Sequence, residues 1–269
     1  MRCTDLYIIA AGNGSRLNAT LPKALVWIRD EPCITTTLRQ LAGKFDKIFV
    51  VTNVLMRHEW ERYFHHLGDV HPRIACRTLN LSIESGLGDG HATLQGLLAA
   101  EQASAQPLAE DVVIAWGDAF FPHAEIIDEL LAQPMQGSGL FPVVYKRNPY
   151  VSMLADQEMR CAGVDFSKYG ESHASGLHDQ CVFRFVRSRL KGSLQDLHHC
   201  LWKKSRYVTP GGELSLLYTV HHLYNIGDPI RAYETRYPTL SFNTIEEVLA
   251  IKEEVAVKLD AVTEYASPA

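Results

Sequence analysis

The first half of the chain alternates between short unbroken apolar runs and longer stretches whose apolar positions recur every three or four residues. Leu6-Tyr7-Ile8-Ile9-Ala10 contains no charged position and stops at Gly12, the pattern of a strand buried on both faces. After one charged residue each, Lys47 to Val51 and Asp111 to Trp116 continue as apolar runs of the same kind, and Arg73 to Leu79 is a further strand candidate. Between these runs the periodicity predicts helices over Pro32–Leu41, about Arg57–Leu67, and His91–Ala103. Such alternation implies right-handed crossovers and a three-layer α/β/α, Rossmann-like arrangement around a mostly parallel sheet. Ligands in such sheets bind beyond the carboxyl ends of the strands. The loops directly after Ala10, Leu79 and Trp116 are therefore where chemistry is expected.

After residue 138 the pattern changes. Leu140–Tyr145 and Gln180–Val186 read as strands with irregular segments between them. Glu213–Asn225 reads as a helix, because Leu214, Leu217, Val220 and Leu223 share a face and Gly227 ends it. A strand near Ile230–Glu234 and a last helix from Thr244 to about Ala261 follow, with Thr244 and Glu247 spaced as a capping box. No repeat or low-complexity linker interrupts the chain, so a single domain is expected. Residues 1–137 would form its first half, 138–242 an elaboration and 243–269 a C-terminal helix.

Composition narrows the function classes. A net charge of −5 offers no basic face for nucleic acid. No apolar run approaches the ~18 residues that a membrane span needs, and residues 1–5 carry none of the features of a signal peptide. The six cysteines include no C-x-x-C pair and read as reduced thiols. A soluble, cytoplasmic chain is expected, and a homodimer is compatible with it. The histidine pairs 65–66, 198–199 and 221–222 invite a zinc reading, but adjacent residues on a helix diverge and cannot chelate as units. They are read as structural or solvated.

The loop Ala10-Ala11-Gly12-Asn13-Gly14-Ser15-Arg16 leads from the first strand to Leu21-Pro22-Lys23. Its glycines allow a sharp turn that exposes backbone N–H groups to an anion. Arg16 can fork onto phosphate oxygens, and Lys23 adds a second charge. A Walker loop is excluded because Gly-Lys-Ser/Thr is absent, and the dinucleotide fingerprint because Leu stands at 17.

The string resembles the signature of the GT-A-like nucleotidyltransferases, Ala-Ala-Gly-x-Gly-Ser/Thr-Arg followed by Pro-Lys. That grouping takes in sugar-phosphate uridylyltransferases, methylerythritol-phosphate cytidylyltransferases and MobA-like NTP transferase domains. Three further strings match in order. Leu87-Gly88-Asp89-Gly90-His91-Ala92 is similar to the uridylyltransferase Leu-Gly-Thr-Gly-His-Ala that lines base and ribose, with Asp89 in place of Thr. Gly117-Asp118 ends the fourth strand, where the family places its Mg²⁺-binding aspartate. Phe242-Asn243-Thr244 resembles the closing string, which implies Asn243 as a second Mg²⁺ ligand. The resemblance thus implies Mg²⁺ as cofactor and a CTP or UTP donor. Arg16 and Lys23 would be the catalytic pair, and NTP contacts would come from residues 10–15 and 87–90.

The partner substrate implied is a phosphorylated small molecule. Tyr150, Asp165, Lys168, Asp179 and Arg184 are its candidate contacts, with Lys146 and Arg147 as further candidates for its phosphate. Val151 stands where the sugar-1-phosphate enzymes carry glycine against the sugar. An acceptor other than N-acetylglucosamine phosphate is therefore expected: an alditol phosphate, another sugar phosphate, or an amino-bearing phosphate or phosphonate paired with Asp165 or Asp179. Two rivals stand beside this reading. A GT-A glycosyltransferase would want Asp-x-Asp, where this chain has Gly117-Asp118-Ala119-Phe120. A catalytically silent nucleotide sensor would bind an NTP without releasing pyrophosphate.

Overall fold

The computed structural model describes residues 3–12, 21–28, 30–84 and 87–254. Its first half is built on four parallel strands, β1 (Thr4–Ile9), β2 (Lys47–Asn53), β3 (Thr78–Ile83) and β4 (Asp111–Trp116), side by side in the order β4-β1-β2-β3. Helices α1 (Cys33–Leu41), α2 (Arg57–Val70), α3 (Pro72–Ala75) and α4 (Asp89–Ala103) lie between them. The two-residue strand β5 (Ala119–Phe120) and α5 (Glu125–Ala132) follow.

Alternation along each strand feeds two cores. Leu6, Ile8, Ile48, Val50, Val113 and Ala115 pack with Leu38 of α1, Trp60 of α2 and Ile127 of α5. Tyr7, Ile9, Phe49, Val51, Val112 and Ile114 pack on the opposite side with Leu94 and Leu97 of α4. Complete burial of such a side chain is worth about 1.5–3 kcal/mol. The apolar runs are continuous because both faces of each strand are covered.

The second half extends this sheet with β6 (Gly139–Arg147), β7 (Val151–Ala155), β8 (Arg160–Phe166), β9 (Ser175–Asp179) and β10 (Val182–Val186). Helix α6 (Arg187–Leu201), the hairpin of β11 (Trp202–Lys203) and β12 (Arg206–Tyr207), α7 (Tyr218–Asn225) and β13 (Ile230–Glu234) follow. Helices α6 and α7 supply Leu190, Leu194, Val220 and Leu223 to the α4 side, completing the three layers. The ten-stranded order is β13-β8-β7-β9-β6-β10-β4-β1-β2-β3. Parallel pairing belongs to the first half. Strand β10 joins β4 antiparallel, and the pairings beyond it are antiparallel except β13 with β6. Last, β14 (Leu240–Ser241) pairs with β5, and a helix runs over 245–254. Among the described residues no helix is long and apolar enough to cross a membrane.

Four segments differ from the sequence reading. Three strands, β7 to β9, occupy the stretch expected to be irregular. Their pattern is weak because one face is partly open, leaving Leu154 exposed, and because Ser175-Gly176-Leu177-His178-Asp179 holds a single apolar residue. Helix α6, unanticipated, begins directly after β10. The strand expected over Arg73–Leu79 starts only at Thr78, since Pro72 sits at the start of the short helix α3. Finally, the helix expected from Glu213 starts at Tyr218, because the cleft described below takes up the backbone of residues 214–216.

Candidate active site

Gly117 closes β4 against β1. Its N–H donates to the Ile9 carbonyl at 2.9 Å, and a Cβ at this position would stand 2.8 Å from that of Ala10. Only glycine lets the two strand ends meet so closely, and the approach carries Asp118 to Lys23. Lys23 opens a short 3-10 turn fixed by Pro22. Its ammonium pairs with the Asp118 carboxylate, donates to Asn243 Oδ1 at 3.1 Å and lies 5.5 Å from the centre of the Phe242 ring. Residues from positions 23, 118 and 243 thus converge on one point.

Asn243 is held there by the helix that follows it. Thr244 and Glu247 form the expected capping box, the Glu247 backbone N–H donating to Thr244 Oγ1 at 3.3 Å and that of Thr244 to Glu247 Oε2 at 3.1 Å. Thr244 therefore performs the capping, and the Asn243 amide oxygen faces Lys23. Ile28, Phe120, Phe242, Val248 and Ile251 form a small core that seats this helix beside the lysine turn.

The three residues border a cleft of about 680 Å³ at the carboxyl ends of β1 and β4. Ala10, Ala11 and Gly12 line it, as do Leu87, Gly88 and Asp89. Asn13, Gly14, Ser15 and Arg16 lie outside the described residues. Gly90 is buried behind the wall and does not line it.

The glycines at 88 and 90 approach another segment of the chain itself. The Gly90 N–H donates to the Leu214 carbonyl at 2.9 Å, and the Leu214 N–H returns to the Leu87 carbonyl at 2.8 Å. A Cβ on Gly88, whose φ is +97°, would sit 2.4 Å from the Leu214 oxygen, and one on Gly90 would sit 2.6 Å from the Ser215 carbonyl carbon. The close approach is to the chain's own segment, which brings Glu213, Ser215, Leu217 and Tyr218 into the cleft as its far wall.

Asp89 secures that wall. Its carboxylate accepts from the Leu216 N–H at 2.6 Å, and the Ser215 hydroxyl also bonds to it. Burial pushes its carboxyl up from 3.8 to about 6, against the lowering effect of these two bonds. Relative to the unfolded chain, the fold thus favours the neutral carboxyl. The stability this group contributes is fully present below 3.8 and is lost as pH rises through about 6. Asp89→Asn keeps an acceptor for Leu216 without a charge to bury. Its stability relative to the native chain should therefore rise across that window, by on the order of 1–3 kcal/mol. Urea unfolding on either side of the window checks this; a difference that does not change with pH would sink it.

Of the acceptor candidates, Tyr150, Lys168, Asp179 and Lys146 line the cleft. Asp165 does not. It lies on the face of β8 opposite Phe166, and its Oδ2 pairs with His173 Nε2 at 2.7 Å. Arg184 does not reach the cleft either. It is 3% exposed and bonds Asp111 through Nε at 2.9 Å and Nη2 at 2.6 Å, while Nη1 donates to the Leu130, Leu131 and Gln133 carbonyls. Its role is to hold β10, β4 and the end of α5 together. Arg147 is likewise absent from the lining.

The sequence reading gave no role to Trp116, His91, His178, Cys181, Glu213 or Tyr218, all of which line the cleft. Of these only His91 carried a signal, in the 87–92 string. It is buried, which lowers its pKa with His198 as the next cause, and its Nδ1 finds no partner among the described residues. Several of the histidines read as structural or solvated are so placed. His198 Nδ1 bonds Tyr207 at 2.7 Å and His222 Nδ1 bonds Ser193 at 2.9 Å, while His58, His65 and His66 are exposed on α2.

Known proteins share this architecture. HddC from Yersinia pseudotuberculosis, solved alone and complexed with GMP-PN, superposes with TM-scores of 0.64 and 0.63, covering 93% of this chain and 99% of its own at 14% identity. That likeness concerns the fold. In sequence, 128 residues are 34% identical to the bifunctional protein GlmU of Ruegeria sp. (strain TM1040), and 133 residues are 32% identical to GlmU of Azotobacter vinelandii (strain DJ / ATCC BAA-1303). Each match takes in 48% of this chain but only 26% and 25% of the relative, so the chain spans about a quarter of the length of these curated relatives. The profile of the MobA-like NTP transferase domain matches residues 6–203, from β1 through the cleft to the hairpin after α6. With that match over most of its length, the chain belongs to the family of MobA-like NTP transferase domains.

Proposed function

We propose that this chain transfers a nucleoside monophosphate from an NTP to the phosphate of a small molecule, with Mg²⁺, and releases pyrophosphate. Membership of an NTP transferase family supports the reaction class. One observation carries the site: the Lys23 ammonium stands between the Asp118 carboxylate and the Asn243 amide oxygen, at the cleft formed by the ends of β1 and β4.

Two oxygens already gathered about a cation suit Mg²⁺, which takes one or two protein carboxylates and completes its shell with phosphate oxygens and water. Asp118 and Asn243 would hold the ion, which when bound supplies charge neutralisation to the triphosphate. Residues 10–15 would present backbone N–H groups to the same phosphates. An ionised oxygen of the acceptor phosphate attacks the α-phosphorus in line. The new P–O bond forms as the bond to the bridging β-phosphate oxygen breaks, and pyrophosphate leaves with that electron pair. Arg16 and Lys23 neutralise the charge on the attacked phosphoryl and the leaving group, so catalysis is positioning plus electrostatics. No side chain needs to take a proton, because the attacking oxygen is already ionised.

The resemblance of the Arg16–Lys23 spacing and of the 87–92 string to uridylyl- and cytidylyltransferases favours CTP or UTP as donor. Because the fold neighbour HddC was solved with GMP-PN, purine nucleotides belong in the test. Pyrophosphate release should be measured with Mg²⁺ for each common NTP against a panel of sugar, alditol and amino-alkyl phosphates and phosphonates. One pair standing far above the rest is the expected result. Tight NTP binding without release would indicate a sensor, and the absence of NTP binding would overturn the reading of residues 10–25.

A further inference from the structure

Asp179 is a charged residue only 4% exposed, yet it borders the cleft. Among the described residues its carboxylate contacts a backbone N–H, that of Cys181 at 2.9 Å, and not a cation. Burying an ionised carboxylate without a counter-charge costs several kcal/mol, so a partner is to be expected on the open side.

The rest of the cleft agrees. Its described lining holds five carboxylates and three lysines. Lys23 and Asp118 pair with each other, which leaves four carboxylates and two lysines. The walls are also aromatic: the Phe166 ring lies 5.7 Å from that of Tyr169 and 5.8 Å from that of Tyr218, each edge to face. These rings already receive a cation. The Lys168 ammonium lies 4.8 Å from the Tyr169 ring centre and 5.6 Å from that of Phe166. An acceptor bearing only phosphate and hydroxyl groups would leave this surface without its complement.

Resting on the nucleotidyl-transfer reading above, we propose that the acceptor is zwitterionic, a phosphate or phosphonate that also carries a cationic nitrogen, and that Asp179 receives the nitrogen. The linker between the two charges is short. The Trp116 N–H donates to the Cys181 carbonyl at 3.0 Å where β4 meets β10, and Asp118 and Asp179 each stand two residues along the chain from one end of that bond. The nitrogen subsite therefore adjoins the point where the triphosphate is held. Asp165, the other carboxylate of suitable sequence position, is excluded by its pairing with His173 on the opposite face of β8.

The test compares amino-alkyl and trimethylammonio-alkyl phosphates and phosphonates with their hydroxy-alkyl isosteres and with sugar 1-phosphates, by pyrophosphate release with the preferred NTP. The native protein should favour the amino-alkyl acceptor over its hydroxy-alkyl isostere on kcat/KM by about 10- to 100-fold, the worth of one hydrogen bond to a charged group. Asp179→Asn keeps the oxygen that accepts from Cys181. It should erase the preference through the acceptor KM and leave the NTP KM unchanged. Equal turnover of the hydroxy isosteres, a sugar 1-phosphate as best acceptor, or an intact preference in Asp179→Asn would each overturn the inference and leave nucleotidyl transfer standing. Silence with every acceptor would overturn both. The comparison of acceptors needs only the native protein, so a variant that failed to fold would not remove the test.

Discussion

Replacing Lys23 with alanine should lower kcat by on the order of 10²–10³, the loss seen when one preorganised charge donor is deleted from an active site. The fold should survive the change. The side chain is 17% exposed and its partner Asp118 24%, so water can solvate the carboxylate that the lysine leaves behind. A second readout separates a catalytic ammonium from one that merely props up the site. Lys23 holds the two oxygens assigned to Mg²⁺. Without it, that ammonium no longer competes with Mg²⁺ for Asp118 and Asn243, and the apparent affinity for Mg²⁺ should hold or rise as kcat falls. Steady-state pyrophosphate release across a Mg²⁺ titration, with the unfolding midpoint as control, measures all three quantities. Near-normal turnover would remove Lys23 from the phosphate cradle.

The three residues themselves were legible in the sequence through the strings that resemble a known family, each at a locally marked position. Lys23 follows a glycine-rich loop and a proline, Asp118 follows Gly117 at the end of an apolar run, and Asn243 precedes a capping box. Their mutual contact was not legible in the same way. It depends on Gly117 packing against Ala10 and on the small core around Phe242, both products of tertiary structure. The far wall of the cleft was hidden for a related reason. Leu214 and Leu217 share a helical face with Val220 and Leu223, so periodicity extends the helix back to Glu213. The backbone of 214–216 instead bonds to Leu87, Asp89 and Gly90, more than a hundred residues earlier in the chain. Asp89 belongs to the same lesson. By string it looks like a substitution in a base-binding loop, but in the structure its carboxylate ties that loop to the wall opposite.

The strands β7 to β9 failed to announce themselves because a sheet with one open face tolerates polar residues that a doubly buried strand excludes. Arginine in Val182-Phe183-Arg184-Phe185-Val186 misled in the opposite direction. A basic residue among apolar neighbours resembles a ligand contact, and nothing local reveals that its carboxylate partner lies at Asp111, on the neighbouring strand.

Arg184→Ala should therefore be the most damaging single change to stability. Truncation strands the Asp111 carboxylate in a largely buried position and removes the donor to the Leu130, Leu131 and Gln133 carbonyls at the end of α5. Breaking one side of a buried pair costs about 3–5 kcal/mol, and the orphaned carbonyls add to that. In a chain of this size the unfolding midpoint should fall by roughly 6–20 °C. Asp111→Asn should cost less, since an amide still accepts from the guanidinium while Arg184 keeps its three carbonyls. Function gives the discriminating result. If Arg184 only joins β10, β4 and α5, the folded fraction of Arg184→Ala should keep its acceptor KM at temperatures well below the new midpoint. A normal midpoint with a raised acceptor KM would return Arg184 to the substrate site, but such a result would require a guanidinium 3% exposed to reach a cleft whose walls do not include it.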